Sequence, residues 1–345
     1  VFWHYLFPTP RWVRRTVDLM LANVALFLVL GEVVLQTYTA LGGRSLLVAN
    51  NIDARRLRPC TVYGDYWTTN EQGYQSRSFE RECRSGVRRL AVLGDSFAVG
   101  LVPKEDNFLN RQESESLEIY NFGVPGIGPA DYLHILEHEV WTYRPDEVLV
   151  CVFVGNDVLH PSATGPLSRS APERSKLYLL SRRLRRIVRE WRSQGQLDFM
   201  RRPRSNFNHE TYVGHELSLL PMCRKTTTEL VAQRWEVALS SLAGIIDACR
   251  RHHTPVRFVL IPDEFQVDAG LLEEMLVRGS IPRDDVDVSL PQRRLRALFD
   301  EYGVRCLDLL PGFAGRPGLY HPNDSHWNKA GNHLAAQLLA AWMKQ

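Results

Sequence analysis

Two polar stretches of this 345-residue chain carry the residue types that nucleophilic catalysis needs. Gly94-Asp95-Ser96 follows an apolar run, so Ser96 would present its hydroxyl where a buried strand ends, the edge at which open α/β sheets bind ligands. Residues 321–328 contain His326, an imidazole able to take the Ser96 proton, and Asp324, a carboxylate able to orient that imidazole. A serine without a base is a poor nucleophile, so the two stretches together predict a reactive Ser96.

Two further turns offer donors for a developing negative charge. Gly126 follows the second predicted strand, where a glycine lets the backbone approach a reacting atom and provides an N–H donor. Asn156 ends the third strand, and one side-chain amide donating to an oxyanion contributes roughly 3 kcal/mol to lowering a barrier. The plainer alternatives are a helix cap for Ser96, simple turn residues for Gly126 and Asn156, and a surface histidine for His326.

The elements that must position these residues alternate short apolar runs with helical patterns from Arg88 onward. Such alternation is typical of an α/β fold, a parallel sheet with helices on both faces. The predicted strands span 89–93, 117–122, 147–154, 256–261 and 304–309, and the predicted helices span 129–143, 228–251, 291–302 and 329–343.

One long interruption, residues 159–223, separates the third strand from its helix. A loop of that length in a compact domain is usually functional or carries its own structure. Within it, apolar residues recur at helical spacing from 180 to 192 with arginines between them. A basic amphipathic helix could pack on its own domain, lie on an anionic membrane surface or dock a partner protein, and the pattern fits all three.

The amino-terminal part contains an apolar stretch, residues 17–35, about long enough to cross a bilayer. Arg11, Arg14 and Arg15 precede it, and the positive-inside rule then puts the amino terminus in the cytoplasm. We predict a cytoplasmic segment 1–16, a single-pass transmembrane helix 17–38, a linker and lead-in 39–87, and an extracytoplasmic domain 88–345 with the insert 159–223. A cleaved signal peptide and a buried helix of a soluble protein are the alternatives.

Composition and charge restrict the function class. The 42 Lys and Arg against 39 Asp and Glu leave a net charge of +3, too small to indicate a nucleic-acid partner. A hydrophobic content of 44% is that of a globular protein. Of the six cysteines, Cys60 and Cys83 flank a loop-like stretch and could form a disulfide. No spacing indicates a metal site, and a serine mechanism needs neither metal nor cofactor.

Taken together, the four stretches resemble the ordered blocks of the SGNH family of GDSL-type hydrolases. The resemblance runs from Arg88 to the carboxyl terminus without the insert, and it implies a three-layer α/β/α sandwich with a five-stranded parallel, flavodoxin-like sheet. It also implies that Ser96 is the nucleophile, His326 the base and Asp324 its partner. The oxyanion hole implied by the resemblance consists of Ser96, Gly126 and Asn156.

The sequence departs from the family pattern at the acidic residue that pairs with the histidine. The commonest family pattern is Asp-x-x-His, and Asn323 occupies the usual acid position here. The order Asp324-Ser325-His326-Trp327 resembles instead the membrane-associated branch with polysaccharide O-acetyl esterase and acetyltransferase domains. We therefore expect Asp324 to orient His326.

Two functions are compatible with this resemblance. In the first, the chain is a membrane-anchored periplasmic serine esterase or O-acyltransferase that attacks small acyl esters, such as acetyl groups on a glycan or lipid, through an acyl-enzyme on Ser96. In the second, it is a catalytically silent accessory subunit whose partners are other subunits of a membrane protein complex.

Overall fold

A computed structural model describes residues 10–40, 51–161 apart from 54, 58, 61 and 64–66, and 207–345. The described residues fall into two units, one that contains residues 10–40 and one that contains residues 51–161 and 207–345. The basic amphipathic helix predicted at 180–192 lies outside the described residues.

The first unit contains the helix α1, Arg11–Ala40. Its segment Arg15–Tyr38 is long and apolar enough to cross a membrane, with a mean hydropathy of 2.1, and none of the segment is buried. Apolar side chains in it, such as Phe27, are exposed. Glu32 within this segment accepts a hydrogen bond from Gln36, 2.7 Å away, which partly compensates a carboxylate among apolar residues.

The second unit is built on a five-stranded sheet in which all neighbouring strands are parallel. The strands lie in the order β2-β1-β3-β4-β5, the flavodoxin-like doubly wound order, which reverses direction between β1 and β3. Each agrees with its predicted range to within one residue at either end, so the α/β fold class is confirmed. They are β1 Arg88–Leu93, β2 Leu117–Asn121, β3 Glu147–Phe153, β4 Val256–Ile261 and β5 Arg305–Asp308.

Nine helices accompany the sheet in the described part of this unit. They are α2 Ser96–Val99, α3 Pro129–His138, α4 His209–Leu219, α5 Glu229–Arg251, α6 Glu264–Val267, α7 Ala269–Gly279, α8 Leu290–Glu301, α9 Leu310–Phe313 and α10 Lys329–Met343. The helix predicted at 129–143 ends earlier, because Glu139 leaves the helical region with φ −124°. A separate short turn, Val140–Tyr143, follows it.

The sheet is covered on both faces because successive strand residues point to opposite sides. In β3, Val150 packs in one apolar cluster with the buried sides of α3, α5 and α8. Its neighbour Cys151 packs in a second cluster with α2, α9 and α10. Both residues are fully buried, which explains why the central strands read as continuous apolar runs.

The segment before β1 is packed on the same unit. Tyr74 is fully buried and its ring lies 5.1 Å from that of Phe122, centroid to centroid. The suggested disulfide is not formed, since Cys60 and Cys83 are both exposed free thiols. Cys83 lies instead beside the guanidinium of Arg89, whose nitrogen is 3.5 Å from the Cys83 sulfur.

Candidate active site

Ser96 opens α2 immediately after β1 ends. The cap of this helix is Asp95, whose carboxylate accepts a hydrogen bond of 2.9 Å from the backbone N–H of Phe97. The capping role therefore belongs to Asp95 and leaves the Ser96 hydroxyl free for another partner. Ser96 is half-buried, whereas Asp95 and Phe97 on either side are buried. The hydroxyl is thus held at the carboxyl edge of the sheet.

The loop before α10 brings His326 to Ser96, across 230 residues of sequence. His326 Nε2 lies 2.7 Å from Ser96 Oγ, and His326 Nδ1 lies 2.5 Å from Asp324 Oδ1. The backbone N–H of His326 also donates to Asp324 Oδ1, at 3.1 Å. The imidazole ring stacks on Phe97, with 5.1 Å between ring centroids. Ser96, His326 and Asp324 therefore form one continuous hydrogen-bonded chain.

The charge states of His326 and Asp324 depend on the same contacts. Burial by itself would lower the pKa of His326, but the hydrogen bond to Asp324 and the negative field of Asp324, Asp95 and Glu216 outweigh it and raise that pKa. Burial would raise the pKa of Asp324, and the hydrogen bond from His326 holds it below its ordinary value. Asp324 is therefore a carboxylate that accepts from Nδ1–H, which leaves Nε2 of the neutral imidazole to accept from Ser96 Oγ–H.

Asn323, at the usual acid position of the family pattern, makes its side-chain contact with α4. Its side-chain oxygen lies 3.1 Å from Nδ1 of His209 on α4. Asp324 reaches His326 because a carboxylate two residues before an N–H closes a local turn with the backbone, as the contact to the His326 amide shows. The structure thus places Asp324, not Asn323, on the imidazole.

Asn156 lies in the turn that follows β3. The residue before it must be glycine, because a Cβ on Gly155 would come 2.2 Å from the ring of Phe153 and 2.4 Å from Oδ2 of Asp263. Burial raises the pKa of Asp95, and a hydrogen bond from the Asn156 amide partly opposes that rise. The Asn156 amide therefore lies close to the residue next to Ser96. A side-chain amide has two N–H donors, so a second remains for a ligand.

Gly126 lies on an exposed turn with φ +77°, a conformation that favours glycine. Two residues earlier, the N–H of Val124 donates to the carbonyl oxygen of Gly94 at 3.1 Å. This bond ties the turn to the end of β1, just before Ser96. Gly126 therefore belongs to the same edge of the sheet as the other predicted site residues.

The turn that carries Asn156 is supported by a buried contact of Asp157, which no sequence pattern indicated. Asp157 is fully buried and accepts hydrogen bonds of 3.0 Å from the hydroxyl of Tyr132 and from the backbone N–H of Phe153. Burial also raises the pKa of Asp157 well above its ordinary value. Asp157 directly follows Asn156 in the sequence, but Tyr132 lies 25 residues away on α3, and no local pattern links the two.

No metal site accompanies this arrangement: within the part of the chain that the structure describes, no three His, Cys, Asp or Glu side chains are grouped closely enough to hold an ion. The residues instead offer a hydroxyl, a base, an acid partner and nearby amide donors. That set is suited to covalent attack by an oxygen nucleophile on an electrophilic carbon.

The chain matches no protein-family model. It also matches none of the curated proteins. It is similar to several solved structures at low sequence identity. TesA is 14% identical over 74% of this chain and 98% of its own, with a TM-score of 0.42. A GDSL-like lipase from Bacteroides thetaiotaomicron is 9% identical over 74% and 88%, with a TM-score of 0.40. The acetyl xylan esterase AlAXEase is 14% identical over 74% and 98%, with a TM-score of 0.40.

Proposed function

We propose that this chain is a serine esterase or O-acyltransferase of the SGNH type, which acts on small acyl esters through a covalent acyl-enzyme on Ser96. The observation that carries the proposal is the chain of short contacts from Ser96 Oγ to His326 Nε2, 2.7 Å, and from His326 Nδ1 to Asp324, 2.5 Å. A neutral imidazole at that distance is a general base for the hydroxyl.

In the proposed first step, Ser96 Oγ attacks the carbonyl carbon of the ester while His326 Nε2 takes the hydroxyl proton. The carbonyl oxygen becomes an oxyanion, which the backbone N–H groups of Ser96 and Gly126 and the side chain of Asn156 stabilise. Asp324 stabilises the imidazolium. The C–O bond to the leaving alcohol then breaks, and His326 returns the proton to that alcohol.

The second step repeats the chemistry with a new nucleophile. His326 takes a proton from water or from an acceptor hydroxyl, which attacks the acyl carbon bound to Ser96, and the proton returns to Ser96 Oγ as the acyl group leaves. Water gives hydrolysis and a sugar hydroxyl gives transfer. The Asp324-Ser325-His326-Trp327 order supports an acetyl group as the acyl group. It also supports a glycan or a lipid as the molecule that carries this group.

The experiment that tests this function is reaction of the purified chain with a fluorophosphonate probe and an aryl acetate. We expect covalent labelling and turnover, because both need an activated serine. A chain that is neither labelled nor active would overturn the proposal. It would favour the catalytically silent subunit of a membrane complex.

We also propose that α1 is a single membrane anchor that leaves the catalytic unit on the periplasmic side. Support comes from the exposed apolar segment Arg15–Tyr38 and from Arg11, Arg14 and Arg15 at its amino-terminal end. Cys83 is an exposed thiol, so a membrane-impermeant maleimide should label it in intact spheroplasts. Labelling only after lysis would place the unit on the cytoplasmic side.

Asn156→Ala is expected to lower kcat by about 10²- to 10³-fold, because one oxyanion donor is lost. Steady-state hydrolysis of an aryl acetate measures this change. The matched control is Asn110→Ala, since Asn110 is also half-buried and its side chain donates to the carbonyl of Lys104. A variant at Asn156 that keeps kcat at the level of the control would remove Asn156 from the oxyanion hole.

The pH dependence follows from the raised pKa of His326. Only neutral imidazole accepts a proton, so kcat/KM should fall as the pH drops through a pKa above the usual value of about 6.5. Asp324→Asn removes the main group that raises this pKa. We expect the acid limb to move to lower pH and kcat to fall by about 10³- to 10⁴-fold.

The control for that profile is Asp106→Asn. Asp106 also pairs with a histidine, His333, at 2.8 Å, but this pair does not include Ser96. The control should keep the wild-type acid limb. An acid limb that stays in place in Asp324→Asn would show that Asp324 does not set the pKa of His326.

A further inference from the structure

The helix α4 contacts the catalytic loop on both sides of Asp324. This helix belongs to the 159–223 insert, which the family resemblance leaves unmatched. Ser325 Oγ donates to Glu216 Oε1 at 2.7 Å, and Asn323 Oδ1 lies 3.1 Å from Nδ1 of His209. Glu216 and Ser325 are buried, whereas His209 is exposed. Of these two contacts, the Glu216–Ser325 hydrogen bond is therefore the one that is shielded from water.

Glu216 lies beside a second buried carboxyl group. Glu216 and Asp263 are both fully buried, burial raises the pKa of each, and each carboxyl group lies close enough to shift the pKa of the other. Glu216 Oε2 and Asp263 Oδ2 accept no N–H or hydroxyl among the described residues. Two neighbouring buried carboxyl groups disfavour ionisation of both, because like charges repel and burial penalises the charged form.

Asp263 also lies against the turn that carries Asn156. Its Oδ1 accepts from the backbone N–H of Glu264 at 2.7 Å, which fixes the carboxyl group at the start of α6. Its Oδ2 lies directly under Gly155, where a Cβ would come within 2.4 Å. The pair thus lies between the turn that carries Asn156 and the loop that carries His326.

We infer that Glu216 and Ser325 are positioning residues for the proposed reaction: α4, through Glu216, holds Ser325 so that Asp324 and His326 stay aligned with Ser96. This inference rests on the proposed function for its kinetic consequence. Its structural basis is that Ser325 is the single residue between the acid and the base, so a rotation of the backbone there moves both side chains.

The size of the effect follows from how steeply catalysis depends on alignment. A displacement of about 1 Å at a reacting group costs on the order of 10²-fold in rate. Removing the Ser325 hydroxyl leaves the charge of Glu216 and all three groups of the Ser96–His326–Asp324 chain in place. Its effect therefore reports on alignment rather than on loss of a reacting group.

The test compares Ser325→Ala with Ser325→Thr, which retains a hydroxyl. For an aryl acetate we expect kcat of the alanine variant to fall by about ten- to a hundredfold with KM nearly unchanged, because alignment acts on the transition state. The threonine variant should regain most of the loss. The matched control is Ser241→Ala on α5, since Ser241 is also a buried serine and its hydroxyl donates to the carbonyl of Val237 at 2.7 Å.

A second pair of variants tests Glu216, the hydrogen-bond acceptor of Ser325. Glu216→Gln retains an oxygen that accepts from Ser325 and gains N–H groups that can donate to Asp263, so it should keep kcat close to wild type. Glu216→Leu removes the acceptor and should behave like Ser325→Ala or fail to fold. Rates are expressed per site titrated with the fluorophosphonate probe, so that a loss of folded protein is not counted as a loss of kcat.

A readout independent of turnover is the NMR resonance of the His326 Nδ1 proton, which reports the short hydrogen bond to Asp324. We expect this resonance to shift in Ser325→Ala and to stay in place in Ser325→Thr and Ser241→Ala. An unchanged resonance together with an unchanged kcat per titrated site would overturn the inference, whatever happens to thermal stability. If the wild type has no activity, the proposed function fails, and the resonance alone decides the positioning role.

Discussion

Replacing Ser96 by alanine is expected to lower kcat for an aryl acetate by about 10⁴- to 10⁶-fold and to abolish fluorophosphonate labelling. The reason is that Ser96 Oγ supplies the atom that forms the acyl bond and lies 2.7 Å from the proposed base. The oxyanion donors remain in the variant, so a small rate above that of water alone should persist.

The fold should survive this substitution. The cap of α2 is the side chain of Asp95, and the closest contact between the Ser96 hydroxyl and that side chain is long, at 3.5 Å. Alanine therefore removes no structural hydrogen bond of normal length from the helix start. Ser241→Ala again serves as the control and should retain labelling. Wild-type activity in Ser96→Ala, with a single label still attached, would identify a different nucleophile.

Replacing His326 by alanine is expected to lower kcat by a similar factor, about 10⁴- to 10⁶-fold. Without the imidazole, no base takes the Ser96 proton and no acid returns a proton to the leaving alcohol. The double variant Ser96→Ala/His326→Ala should be no slower than Ser96→Ala alone, since the two residues act as a unit. Steady-state rates of the two single variants and the double variant measure this non-additivity.

A second histidine–aspartate pair in the chain provides the control for His326. His333 Nε2 lies 2.8 Å from Asp106 Oδ1, close to the distances within the proposed site, but this pair makes no contact with Ser96. His333→Ala should therefore keep kcat near wild type. Equal losses in the two histidine variants would point to a general effect on stability rather than to a catalytic His326.

The central strands were predictable because burial on both faces leaves a strong compositional signal. In β1 from Leu90 and in β3 from Val148, successive residues alternate between two apolar clusters, so every position is apolar. The polar residues then stand out where each strand ends, which is why Ser96 and Asn156 could be selected from sequence. The parallel direction of the strands also followed from the α/β alternation, since parallel neighbours need a crossover between them.

The insert was less predictable because its helices are stabilised by tertiary packing. The prediction left residues 207–223 without an element, yet α4 forms there and packs on α7. Polar side chains such as Glu216 interrupt the apolar face of α4 and weaken its helical period. Glu216 is fully buried, and Ser325, distant in sequence, supplies its hydrogen bond.

The sequence by itself determined which residue types stand at the strand ends and in what order, because local composition and strand period encode burial directly. The tertiary structure decided which of them meet. It left Cys60 and Cys83 as free thiols, and it joined α4 to the loop through Glu216 and Ser325. These contacts link residues far apart in sequence, so their distances follow from the packing of the whole unit and not from any segment alone.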